Sequence, residues 1–89
     1  MTEQTNEQEK EAKLKEFWEK ACRGVLKHLD EKGGALSLGE MHDYSLNKYF
    51  IQHQRFSKMM ETFVGESLIE YNDMTQISTI TEKGKEFIR

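Results

Sequence analysis

From about Lys10 the apolar side chains recur at spacings of three and four: Leu14, Phe17, Trp18, Ala21, Cys22, Val25, Leu26 and Leu29. That period predicts an amphipathic helix, with lysines and glutamates on its other face. Gly33-Gly34 stops it, and Lys32 stands in its last turn. A helix over 10–32 is about 22 residues, or ~33 Å at 1.5 Å per residue. That is long for a chain of 89 residues. Residues 1–9 hold no apolar side chain except Met1 and are expected to form a disordered tail.

Ala35-Leu36 reads as a short strand. Ser37-x-x-Glu40 is a capping-box pattern: the hydroxyl serves one orphan amide, and Glu40 reaches back to another. In the helix it starts, Leu38, Met41, Ser45 and Tyr49 share a face, with Leu46 at its margin. Neither Gly nor Pro occurs between Gly39 and Gly65, so one helix or two are open. At ~100° per residue, Leu46, Tyr49, His53, Phe56, Met60 and Val64 stay in phase, while Ile51 points the opposite way. A break near Phe50–His53 would free Ile51 to turn inward. The favoured reading is therefore two helices, near 38–49 and 54–66. Phe63 is central to the second one's apolar stripe.

After Ser67 the period changes. "LIEYN" and "ISTIT" are rich in Ile, Thr and Tyr and are separated by "DMTQ", which predicts a hairpin. Thr81 caps a last short helix, "EKGKEFIR", from which Phe87 and Ile88 are expected to return to the core. The expected class is mainly α with a small β-hairpin (α+β), as one domain over residues 10–89.

Composition sharpens this. Apolar residues are 36% and charged ones 33%, enough for one modest core; proline is absent, as suits a helical chain. The single cysteine, Cys22, excludes an internal disulfide and fits a cytoplasmic location. No apolar run is long enough to span a membrane, and the polar, acidic N-terminus is unlike a signal or transit peptide. Net charge is −3, which weighs mildly against nucleic acid. Distribution weighs the other way: Tyr44–Met60 holds no acidic residue, while Lys48, Arg55 and Lys58 fall within it.

In element order and in wording, the chain resembles winged helix-turn-helix domains, above all the small archaeal-type winged-helix regulators. The stretches that carry the resemblance are "SKMMETFVGESLIEY" (57–71) and "ITEKGKEFI" (80–88). It covers roughly residues 35–89. "HQRFSKMMETFVGESLIEY" is also similar to the third-helix region of the small D proteins associated with dissimilatory sulfite reductase. The resemblance implies a winged helix-turn-helix with a long N-terminal helix. In such folds the third helix packs under the wing, and a tight turn feeds the first wing strand. Two departures stand out: Ser67 occupies a position where glycine is usual, and the wing tip "NDMTQ" has no Lys or Arg.

With the 56–64 stripe inward, Gln54, Arg55, Lys58 and Thr62 face outward, with Ser57 at the edge. Arg suits guanine, Gln suits adenine, and Lys suits phosphate. These residues and Lys48 form the expected contact set for duplex DNA; an ordinary solvated helix face is the plainer alternative. Leu14, Phe17, Trp18 and Val25 are the expected contacts of a homodimer, because the first helix is long and its apolar band wide. A protein-docking module without nucleic-acid binding is the alternative function. His28, His42, His53 and Cys22 lack metal-ligand spacing, so no metal or cofactor is expected. No nucleophile–base arrangement or phosphate-loop glycine pattern occurs, so no enzymatic activity is expected either.

Overall fold

The computed structural model describes residues 2–89, with side chains from residue 12 onward. Among them the order is α1 (Thr2–Glu31), β1 (Ala35–Ser37), α2 (Leu38–Tyr49), α3 (His53–Gly65), β2 (Ile69–Asn72), β3 (Ile77–Ile80) and α4 (Glu82–Phe87). This is a mixed α+β fold: helices packed on a small antiparallel sheet. The tail expected over 1–9 falls where side chains lie outside the described residues.

Each helix end has a local cause. At the end of α1, Gly33 and Gly34 take φ of 98° and 86°. Their amides reach back to the carbonyls of Asp30 (3.2 Å) and Leu29 (2.9 Å), the pairing of a Schellman motif. The α3 end repeats it with a costlier residue. Ser67, at φ 61°, donates to Val64 O (3.0 Å), and Leu68 donates to Phe63 O (2.8 Å).

Ser37 starts α2 by accepting the Glu40 amide at 3.2 Å. Its hydroxyl also donates to Glu40 Oε1 at 3.2 Å, so the glutamate meets the hydroxyl and not the Ser37 amide that the capping-box pattern suggested. Between α2 and α3 the chain does break. Phe50 turns left-handed (φ 56°), its amide bonds Leu46 O at 2.9 Å, and Ile51 drops into the core. The out-of-phase position of Ile51 is thus the mark of the break.

The sheet order is β1-β3-β2, all antiparallel. The hairpin expected from the sequence is present, and β1 adds to its far edge, with Ala35, Leu36 and Ser37 opposite Thr79, Ser78 and Ile77. Under the sheet lies a core built from Ala21, Val25, Leu26 and Leu29 of α1 and Phe56, Met59 and Phe63 of α3. Cys22 belongs to it, as expected.

Thr81 ties α4 down. Its hydroxyl donates to Ser67 O (2.6 Å) and accepts the Gly84 amide (3.0 Å). Ile88 packs against the core, but Phe87 stays at its margin. Arg23 covers it, 4.7 Å above the ring, and donates to its carbonyl at 2.8 Å. The molecule measures 51 × 25 × 21 Å. Helix α1 accounts for the long axis: its buried residues begin at Ala21, and residues 12–17 are all exposed.

Candidate nucleic-acid interface

Helix α3 buries Phe56, Met59, Met60 and Phe63. At ~100° per residue the direction opposite that stripe holds Gln54, Lys58 and Glu61, flanked by Arg55 and Thr62. All five are exposed. Gln54, Arg55, Lys58 and Thr62 therefore share one outward arc, as the sequence led one to expect. Ser57 does not join them. It lies on the other flank, facing α2. Lys48 sits in the last turn of α2, where its charge also offsets the helix dipole.

The chemistry of the arc is uneven. Among the described residues the one ion pair is Lys85–Glu82, so Lys48, Arg55 and Lys58 have no carboxylate partner there. The N-cap of α3, Gln52, makes no side-chain capping bond, and the first turn carries no acid. Its leading amides remain available to an anion. Thr62 has less to offer than its position suggests. Its hydroxyl donates to Lys58 O at 3.0 Å, which leaves a methyl and an acceptor. Glu61 brings a negative charge onto the arc.

The loop between β2 and β3 closes on itself. Asn72 Oδ1 accepts from the amides of Met74 (2.9 Å) and Thr75 (3.1 Å), and Gln76 is left-handed at φ 58°. Gln76 O accepts the Leu38 amide at 2.8 Å, fastening the loop to the start of α2. Met74 is fully in solvent, and Asp73 is the only charge at the tip.

A groove of about 790 Å³ runs along the Ser57 flank of α3. Leu38, Phe56, Met60, Val64 and Tyr71 make its walls apolar, and Asp43 and Glu61 stand among its lining. His42 is set edge-on to Phe56 (5.0 Å) and to His53 (5.7 Å) within it. Sequence reasoning missed this groove. Its one signal was Val64, in phase with the buried stripe yet half exposed at the helix's far end.

Of the expected dimer contacts, Leu14 and Phe17 are exposed at 58% and 45%, and Trp18 is half-buried against the core. Val25 is 1% exposed, inside its own protomer, so a second chain has no access to it in this fold. Its neighbour in the apolar band, Cys22, has its thiol pushed up to about 11 by burial, with help from Glu66 and Glu19. It stays protonated and unreactive at neutral pH. His28 stacks on Tyr44 at 3.7 Å. Burial, then Lys32, holds the imidazole below its ordinary pKa, and burial with the nearby Tyr49 raises the Tyr44 phenol.

Among the described residues no three His, Cys, Asp or Glu side chains gather to hold a metal, and no helix is long and apolar enough to cross a membrane. Comparison of the chain with family models, curated proteins and solved structures returned no match.

Proposed function

We propose that this chain is a winged-helix DNA-binding protein, a cytoplasmic transcriptional regulator that reads duplex DNA with α3. The observation that carries the reading is the outward arc of α3, where Gln54, Arg55 and Lys58 stand exposed beside an uncapped helix start. The element order, with β1 on the outer edge of the β2–β3 hairpin, supports the winged-helix part. The acid-free segment Tyr44–Met60 supports an anionic ligand.

In this mechanism α3 enters the major groove, whose width admits one helix. The leading amides of α3 approach a phosphate. Arg55 presents its planar fork to guanine O6 and N7, Gln54 pairs with adenine, and Lys58 places a point charge at the backbone. The Thr62 methyl suits a thymine methyl. Glu61 is tolerated only opposite a cytosine amine. Lys48 adds long-range attraction from the end of α2.

Titration of the protein against selected and random duplexes at several salt concentrations tests this. Arg55→Ala is expected to cost about 1–3 kcal/mol and to relax sequence preference. Lys58→Ala is expected to weaken binding to every sequence and lower the salt slope by about one unit. A wild-type protein that binds no duplex even at about 50 mM salt, where phosphate contacts are strongest, defeats the proposal.

One observation favours a second reading, a protein-docking module. The groove on the Ser57 flank is apolar, and the adjoining hairpin tip is not basic. Failure of all duplex binding would favour this second reading over the first.

A further inference from the structure

The groove beside α3 has the dimensions of a site for a small organic molecule. Its volume of about 790 Å³ lies within the roughly 300–1,000 Å³ usual for such sites. Its lining follows α3 from His53 to Gly65, about 18 Å at 1.5 Å per residue, so an elongated occupant fits it. The walls are recessed. Of the large apolar side chains exposed among the described residues, only Val64 belongs to the lining, while Phe56 and Met60 show 3% and 8% of their surface. A slim molecule reaches such walls; a broad protein surface does not. The charge is one-sided as well. Asp43 on α2 and Glu61 on α3 line the groove, and neither Lys nor Arg joins them. Neither carboxylate is paired, since the one ion pair among the described residues is Lys85–Glu82. Phe56 and Tyr71 bring aromatic rings to the same lining, and a ring face attracts a cation. His42 lines the groove too, and its Nε2 is buried without a hydrogen-bond partner.

We infer that this groove binds an elongated amphiphilic organic cation, an aryl- or alkylamine. Its apolar body lies along Phe56, Met60 and Val64, and its ammonium meets Asp43 and Glu61. The lining selects against the other small-molecule classes. A carboxylate or phosphate ligand would face two like charges and no fixed cation. A neutral ligand would fill the walls but shield both carboxylates from water without pairing them. An ammonium on a flexible stem carries three N–H donors, enough for both carboxylates and an imidazole nitrogen. Glu61 also stands on the outward arc of α3. Ligand binding needs no DNA, however, so this inference and the DNA reading fail separately.

Three probes of one skeleton and different charge test it: phenylbutylammonium, phenylbutanol and phenylbutyrate. Each is titrated into the full chain at neutral pH and followed by backbone amide shifts in NMR. The amine is expected to saturate and to bind at least ~10-fold tighter than the alcohol, with the acid weakest. The largest shifts are expected at Gly39, Ser57, Glu61 and Gly65, which line the groove. Ser57→Arg, at an exposed helix position, sets a guanidinium one turn before Glu61 and is expected to weaken the amine by at least ~10-fold. Asp43→Asn combined with Glu61→Gln keeps both side-chain shapes. It is expected to bring the amine down to the level of the alcohol while alcohol binding holds, and it decides the matter if Ser57→Arg disturbs the helix. An amine that fails to saturate by about 10 mM, near the weakest affinity expected of a ligand this size, overturns the inference. So do equal affinities for the three probes, or shifts confined to residues outside the groove. A basic amphipathic peptide that binds there when the amine does not also overturns it, in favour of the protein-docking reading.

Discussion

Replacing Gly84 with alanine sets two effects of opposite sign against each other. Gly84 lies inside α4, where alanine is favoured over glycine by about 1 kcal/mol on helix propensity alone. Space says otherwise. A Cβ at Gly84 would strike the Leu68 carbonyl oxygen, and it would stand 2.8 Å from Ile80 Cγ1 and 3.2 Å from the Leu68 carbonyl carbon. That carbonyl is backbone and already accepts the Thr81 amide at 3.1 Å, so it cannot swing aside. Helix α4 must lift instead. Overpacking of this kind costs about 1–3 kcal/mol. Lifting also stretches the Thr81 amide bond and the 2.6 Å bond from the Thr81 hydroxyl to Ser67 O, each contributing about 0.5–1.5 kcal/mol. With the propensity gain subtracted, the expected loss is about 1–5 kcal/mol with a midpoint of ~3, a large share of the roughly 5–12 kcal/mol available to a domain this size. Urea unfolding followed by Trp18 fluorescence, at one fixed protein concentration, would read this as a midpoint lower by about 2 M at unchanged slope. An unchanged or higher midpoint would mean that propensity wins and that α4 does not rest on Leu68.

Phe63→Ala is expected to cost about 3–5 kcal/mol in the same assay, because Phe63 is 1% exposed among the helices and sheet; a loss under ~1 kcal/mol would refute that placement. Ser67→Gly is expected to stabilise the fold by up to ~1 kcal/mol, since Ser67 holds φ 61° at a Schellman position suited to glycine; a destabilised variant would show that its side chain contributes more than the backbone loses.

The sequence made the local features legible wherever one residue type answers one geometric need. Gly33-Gly34 had to end α1, Ser37 and Thr81 had to begin helices, and Ile51 betrayed the break by standing out of phase. The hairpin followed from β-branched runs around a polar turn. Features made by distant residues were not legible. Nothing near Ala35–Ser37 announces pairing with Ile77–Thr79, and nothing in "TEKGKEF" states that Gly84 leaves room for a carbonyl from residue 68. Val25 looked equal to Leu14 and Phe17 in the helical period. Only the point where α1 leaves the core, near Trp18, separates an inward band from an outward one. For the candidate site, the outward arc of α3 was readable from its phase. The apolar groove was not, because its walls come from α2, α3 and β2 together.

The central place of β3 in the sheet has a consequence for the order of events during synthesis. Both β1 and β2 depend on β3 for their hydrogen-bonding partner, and β3, at Ile77–Ile80, is made after both of them. While residues 35–72 emerge, the two outer strands have nothing to pair with, and only the helices can begin to form. The sheet can close only once β3 has left the ribosome, linking positions far apart along the chain. A nascent chain stalled before Ile77 would carry two open strands and an uncovered α1 stripe. It would be a target for chaperones at a point where a chain with β3 placed earlier would already be folded.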